Sequence, residues 1–208
     1  MAIYTLTPSQ LKGAGVYNSF EIPAGGGSSF TNVYSVGFDG TDDHIDLGSG
    51  STVADGGQFS FSFWIKGAAA GAGGQTYLFS ADYYNLHTFW VVQNTNLQWM
   101  NINGIRQNLS VGVLDNNWHH ILIIWNPDGA NQTIRCFTDG ANEVNVSTDY
   151  RYSRVGGLYD GALQYIGNRA GQNPGFAGNI DEFAIWDNDQ STNLSVIYNS
   201  GQVQVGRI

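Results

Sequence analysis

The sequence predicts an all-β, two-sheet antiparallel sandwich with one short C-terminal helix. Three observations carry that prediction. The 208 residues include 28 glycines and only 12 % charged side chains, against roughly 25 % in ordinary globular chains, which is the composition of many short strands joined by tight turns. Aromatic residues make up 13 %, ample for a core between two sheets. Apolar side chains recur with period two in segment after segment, whereas a helical stripe appears once, near the C-terminus. A chain of this length fits a single all-β domain.

The elements follow in order. Residues 1–30 carry Ile3, Tyr4, Leu6, Leu11, Val16, Tyr17, Phe20 and Ile22, too apolar for a solvated tail. They end in a Gly/Ser-rich linker over 23–29. The expectation is an N-terminal arm over 1–30 that buries its patches on another subunit, and a sandwich domain over 31–208. Within that domain Phe59, Phe61, Phe63 and Ile65 alternate with Ser60, Ser62 and Lys66, a half-buried strand. A glycine/alanine loop over 67–74 precedes a three-strand meander over 77–80, 89–92 and 97–102. Residues 118–125 are apolar on both faces, as a central strand requires. Asp139-Gly140 sits between two strand-like runs and reads as a tight hairpin turn. A further strand is expected over 163–167.

In the last strand, strict alternation places Asp181, Phe183 and Ile185 on one face and Ile180, Glu182, Ala184 and Trp186 on the other. The run Asp187-Asn188-Asp189-Gln190 stops it, since these side chains favour turns. Asp189 or Ser191 then caps a helix with Leu194, Ile197 and Tyr198 on one stripe, and Gly201 ends it.

Phe176-Ala-Gly-Asn-Ile-Asp-Glu-Phe-Ala-Ile-Trp-Asp187 followed by that helix resembles the closing strand of laminin-G-like (concanavalin A-like) jelly rolls. Three segments match in the expected order: Tyr34 to Leu47 as the opening strand pair, Phe59 to Ile65 as a core strand, and Trp118-His-His-Ile-Leu-Ile-Ile-Trp125 as the central strand. The resemblance covers about residues 33–201. It implies a jelly-roll domain and, with the Gly/Ser linker ahead of Tyr34, looks like the surface proteins of tailed-phage virions. The expected role is thus a non-catalytic binding and structural module, a capsid decoration, knob or fibre-associated protein that touches cell-surface glycans. Its expected partners are sister or virion subunits held by the arm. The alternatives are a polysaccharide hydrolase or lyase, and a soluble lectin-like carbohydrate-binding domain.

Composition excludes other classes. A net charge of −9 offers no basic stripe for nucleic acid. No run approaches 18 apolar residues, so no membrane span is expected. The N-terminus lacks a basic start followed by an apolar run, so the expectation is no signal peptide, synthesis in a host cytoplasm and residence in a virion. Cys136 is the single cysteine, so the chain forms no internal disulfide.

Retaining glycosidases on this kind of sandwich carry E-x-D-x-x-E along one strand. Here Asp181 and Glu182 are neighbours, which alternation turns back to back, and a retaining pair needs about 5 Å. No enzyme activity is expected. Adjacent His119 and His120 diverge likewise and read as structural. The resemblance implies a structural calcium near this strand, with Asp181, Asp39, Asp43 and the Gly40 carbonyl as candidate ligands and Asp42 and Asp46 close by. Calcium takes six to eight oxygens, and fourteen Asp against three Glu suits either ligands or turn formers. Candidate sugar-binding groups are Tyr83, Tyr84, Trp90, Trp99, Tyr150, Arg151 and Tyr152.

Overall fold

The computed structural model describes residues 11–12, 35–47, 58–68, 75–80, 88–93, 95–101, 106–110, 112–128, 131–148, 165–168 and 175–198. Among these, thirteen strands form two sheets. One sheet has seven strands in the order β1 (Leu11–Lys12), β3 (His44–Asp46), β12 (Tyr165–Ile166), β5 (Gln75–Ser80), β6 (Thr88–Gln93), β7 (Asn96–Asn101) and β8 (Arg106–Ser110). The other has six, in the order β11 (Ala141–Thr148), β10 (Asn131–Thr138), β9 (His119–Asp128), β4 (Phe59–Gly67), β13 (Ala177–Trp186) and β2 (Val36–Asp39). Every strand pairing is antiparallel. The two-sheet antiparallel jelly roll with a short C-terminal helix is thus the observed fold.

The core lies where the sheets face each other. Phe61, Phe63 and Ile65 of β4 and Ile121, Ile123 and Trp125 of β9 point into it, opposite Leu78 and Phe79 of β5, Leu97 of β7 and Leu109 of β8. Phe63 and Phe79 meet edge to face at 4.7 Å, the geometry aromatic quadrupoles prefer. Each such side chain, fully buried, contributes about 1.5–3 kcal/mol. The serines between them, Ser60 and Ser62, are buried too, because the far face of this sheet is also covered.

That cover is the C-terminal segment. Leu122, Ile124 and Phe137 form a second apolar layer on the outer face, and Trp186 and Leu194 pack on it. Ser60 Oγ donates to the Asn188 carbonyl at 2.5 Å and accepts from the Gln190 amide at 3.1 Å. Arg135 holds Glu143 at 2.6 Å and reaches Asp189 at 3.4 Å. Asp189 Oδ1 accepts from the Ser191 amide at 2.7 Å, but the residue at the start of the helical segment is Gln190, with no side-chain cap bond, so neither Asp189 nor Ser191 is the cap. The helix is shorter than expected: a 3-10 turn over Ser191–Asn193 and then α1, Leu194–Tyr198. The hairpin turn is as expected, with positive φ at Asp139 (53°) and Gly140 (71°), the primed-turn geometry that matches strand twist.

The opening strands β2 and β3 sit in different sheets, so the turn between them crosses from one sheet to the other. Part of the N-terminal arm has a place as well: Leu11 pairs with Ile45 and Lys12 with His44 on the edge of the seven-stranded sheet. The rest of 1–30 lies outside the described residues.

Candidate functional site

The crossing turn gathers the acidic residues of the opening segment. Ligand oxygens of Asp39, Asp42 and Asp43 all lie within 4.8 Å of one another. The backbone explains the gathering. Gly40 takes φ 84°, where a side chain is strained. Asp39 Oδ1 accepts from the Thr41 amide at 2.7 Å, and Asp43 Oδ2 accepts from the Asp39 amide at 3.0 Å. The Asn168 side-chain amide donates to the Thr41 carbonyl at 3.1 Å, tying the turn to the end of β12. Three hard carboxylates on a fixed loop fit a cation of the calcium type, and Asp39 and Asp43 each keep one oxygen outside these backbone bonds.

Asp181 is elsewhere. Ala177 is the β13 residue opposite Asp39, and Asp181 stands four residues further on, about 13 Å along the strand. Its face also differs from the alternation argument. Asp181 pairs with Trp64 but Ala184 pairs with Ser62, so β13 spends three residues where β4 spends two. This is a β-bulge, with Glu182 at φ 47°. The extra residue reverses the parity. Ile180 lies in the inter-sheet core before it, and Phe183 and Ile185 pack on the same core after it. Asp181 therefore lies across from Trp64 on the outer side, away from the Phe183–Ile185 face that alternation had assigned it. Its Oδ1 accepts from the Glu182 amide at 2.8 Å, which helps hold the bulge.

The two histidines diverge, as alternation requires. His119 bonds through Nδ1 to Asp139 at 2.8 Å and through Nε2 to Asp115 at 3.1 Å, bridging the loop before β9 to the β10–β11 turn. Burial works against its charge, but the hydrogen bonds to Asp139 and Asp115 outweigh it and raise its pKa. Asp115 is held at about 2, chiefly by the side-chain and backbone amides of Asn117. His120 is buried against Trp64 (5.3 Å) and Tyr198 (5.6 Å), and burial drops its pKa to about 4 despite the Asp139 charge. Cys136, fully buried, is pushed up to about 12 and is chemically inert as a nucleophile.

Of the candidate sugar-binding groups, Tyr83, Tyr84, Tyr150, Arg151 and Tyr152 lie outside the described residues. Trp90 and Trp99 are paired residues of β6 and β7.

Residues 39–193 match the family model described as the concanavalin A-like lectin/glucanases superfamily. The chain belongs to this superfamily. No curated protein matches it in sequence. Among solved structures, this superfamily member is similar to the receptor binding domain of botulinum neurotoxin mosaic serotype C/D (TM-score 0.53, 16 % identity, 75 % of this chain and 39 % of that one). It is also similar to the heptameric SAP-like pentraxin of Limulus polyphemus (0.53, 14 %, 79 % and 81 %), and to a candidate carbohydrate binding protein of Bacteroides ovatus (0.54, 13 %, 77 % and 45 %). At these identities the likeness is one of fold. The chain spans about two fifths of the toxin domain's length.

For a concanavalin A-like chain, what the sequence could not reveal is cross-strand neighbourhood. The register across β9, β4, β13 and β2 depends on pairings between residues up to 144 positions apart, which alternation within one strand does not carry.

Proposed function

We propose that this chain is a non-catalytic glycan-binding module. One observation carries the reading. On the strand where the superfamily's glycosidases would hold a carboxylate pair, Asp181 faces outward and accepts its neighbour's amide, while Glu182 occupies a bulge. Neither is set up as an acid facing a nucleophile across about 5 Å. The receptor-binding and carbohydrate-binding descriptions of two structural neighbours support recognition as the role. The sequence resemblance to tailed-phage virion proteins supports display of the module on a particle, with the N-terminal arm as its attachment.

The test has two parts. On a glycan array, together with a reducing-end assay on laminarin, agar, alginate and carrageenan, the expected outcome is retention without turnover. Turnover that disappears in Glu182→Gln overturns the reading. Antibody labelling of particles, seen by electron microscopy, is expected to decorate the virion surface; unlabelled particles refute the virion assignment.

A further inference from the structure

We propose that the outer face of the six-stranded sheet, at the end α1 leaves open, binds a sugar bearing a carboxylate; this rests on the glycan-binding reading above. The register assembles the site. Lys66 of β4 pairs with Asn179 of β13, and Asn179 pairs with Gly37 of β2. On the other side Ile65 pairs with His119, so one step further along the ladder brings Trp118 level with Lys66. Lys66, Asn179 and Gly37 have the outward parity of their strands, since Ile65, Ile180 and Phe38 face the core, and Trp118, the residue just before β9, is exposed. Strands about 4.8 Å apart make a row of about 14 Å, long enough for a short oligosaccharide.

The chemistry along the row is consistent with one ligand class. Trp118 is 36 % exposed, a large apolar side chain left at the surface beside polar ones. A single exposed aromatic means little; a Trp beside an ammonium and an amide is the mixed apolar and polar lining of a recognition site. Gly37, exposed, puts no side chain over the far end. There the Asn179 amide nitrogen donates to Ser35 Oγ at 3.1 Å, which fixes the amide and turns its oxygen toward a sugar hydroxyl. Lys66 is one of two lysines in a chain of net charge −9, and it enters no ion pair among the described residues. A lysine in an acidic protein, left unpaired between a Trp and an amide, is a point charge for a carboxylate. Asp181, on the same outer face, accepts the Glu182 amide. Tyr198 stacks on Trp64, two residues along β4 from Lys66, and so walls one side of the row.

The experiment uses the full chain with four probes: 3′-sialyllactose and tetramannuronate, which carry sugar carboxylates, and their neutral counterparts lactose and mannotetraose. Titration calorimetry and amide NMR read binding. The expected result is that at least one acidic probe binds at least tenfold tighter than its neutral partner, weakens with salt, and shifts the Asn179 side-chain amide. Lys66→Gln should remove the acidic preference, and Trp118→Ala should weaken the acidic probe at least tenfold; both variants should melt like the parent. Which acidic probe binds separates a sialic acid from a uronate. Binding of neutral and acidic probes alike, unaffected by either variant, overturns this site and leaves the glycan-binding reading standing. Failure of every probe here and of the glycan array overturns both.

Discussion

His119 and His120 are consecutive on β9, yet one is held between Asp115 and Asp139 and the other is buried against Trp64 and Tyr198. Their pKa values move in opposite directions, so they pull stability in opposite directions with pH. His119, raised, stabilises the fold fully below about pH 6.5, and that contribution is lost as pH rises through its folded value. His120, depressed to about 4, favours the fold above pH 6.5; the advantage drains away as pH falls from 6.5 to 4, by about 3 kcal/mol in all. His120 Nδ1 makes no hydrogen bond, so His120→Phe should keep the ring contacts and flatten the acid limb. His119→Gln should lower stability evenly below about pH 6.5 and leave the slope of that limb unchanged. Denaturant titrations at pH 7, 5.5 and 4 check this; a His120→Phe variant that loses as much stability as the parent between pH 6.5 and 4 refutes it.

Glu182 holds a left-handed backbone at φ 47°, a conformation that costs a residue with a Cβ about 1–2 kcal/mol. Comparing two truncations removes the side chain's own contacts from the account. Glu182→Gly should be more stable than Glu182→Ala by about 1 kcal/mol. Equal stabilities in urea would mean that the backbone strain is absent.

The Asp39–Asp43 turn is the place to look for calcium. A cation that binds only the folded chain stabilises it by about 2.7 kcal/mol at a hundredfold excess over Kd. Added calcium should raise the melting temperature and EDTA should lower it. Asp42→Asn should abolish the difference while sparing the two backbone bonds made by Asp39 and Asp43. Superimposable melting curves with calcium and with EDTA would show that the turn is held by its amides alone.

How much of this was legible depends on the range of the interaction. The alternation of Phe61, Phe63 and Ile65, the two-sided apolarity of Ile121 to Trp125 and the Asp139-Gly140 turn are local signals, and each element formed where its pattern lies. The acidic turn was visible because its carboxylates lie within five residues. The side assignment of Asp181 was not, because one extra residue in β13 against β4 reverses every face beyond it, and strict alternation reads straight across the two adjacent acids between Ile180 and Phe183 where the period breaks. The pairing of Leu11 with Ile45 was hidden for the same reason: two residues carry no period.

That pairing sharpens the test of the N-terminal arm. β1 contributes two residues to the ladder beside β3, and β3 keeps its other neighbour, β12, without them. Among the described residues, the buried core cluster runs from Phe38 to Ile180. At about 0.5–1.5 kcal/mol per ladder hydrogen bond, a chain beginning at Phe30 should melt a few degrees lower and still cooperatively. The apolar side chains removed with the arm include Ile3, Tyr4, Val16, Tyr17, Phe20 and Ile22, enough burial, at about 1.5–3 kcal/mol each, to anchor the domain to a sister subunit or a particle once ordering costs are met. The truncated chain should therefore be folded and monomeric, and should fail to join the assembly the full chain forms. Light scattering and particle co-sedimentation measure this. Assembly equal to that of the full chain would make the arm a passenger, and outright unfolding would make β1 a strand the sandwich cannot lose.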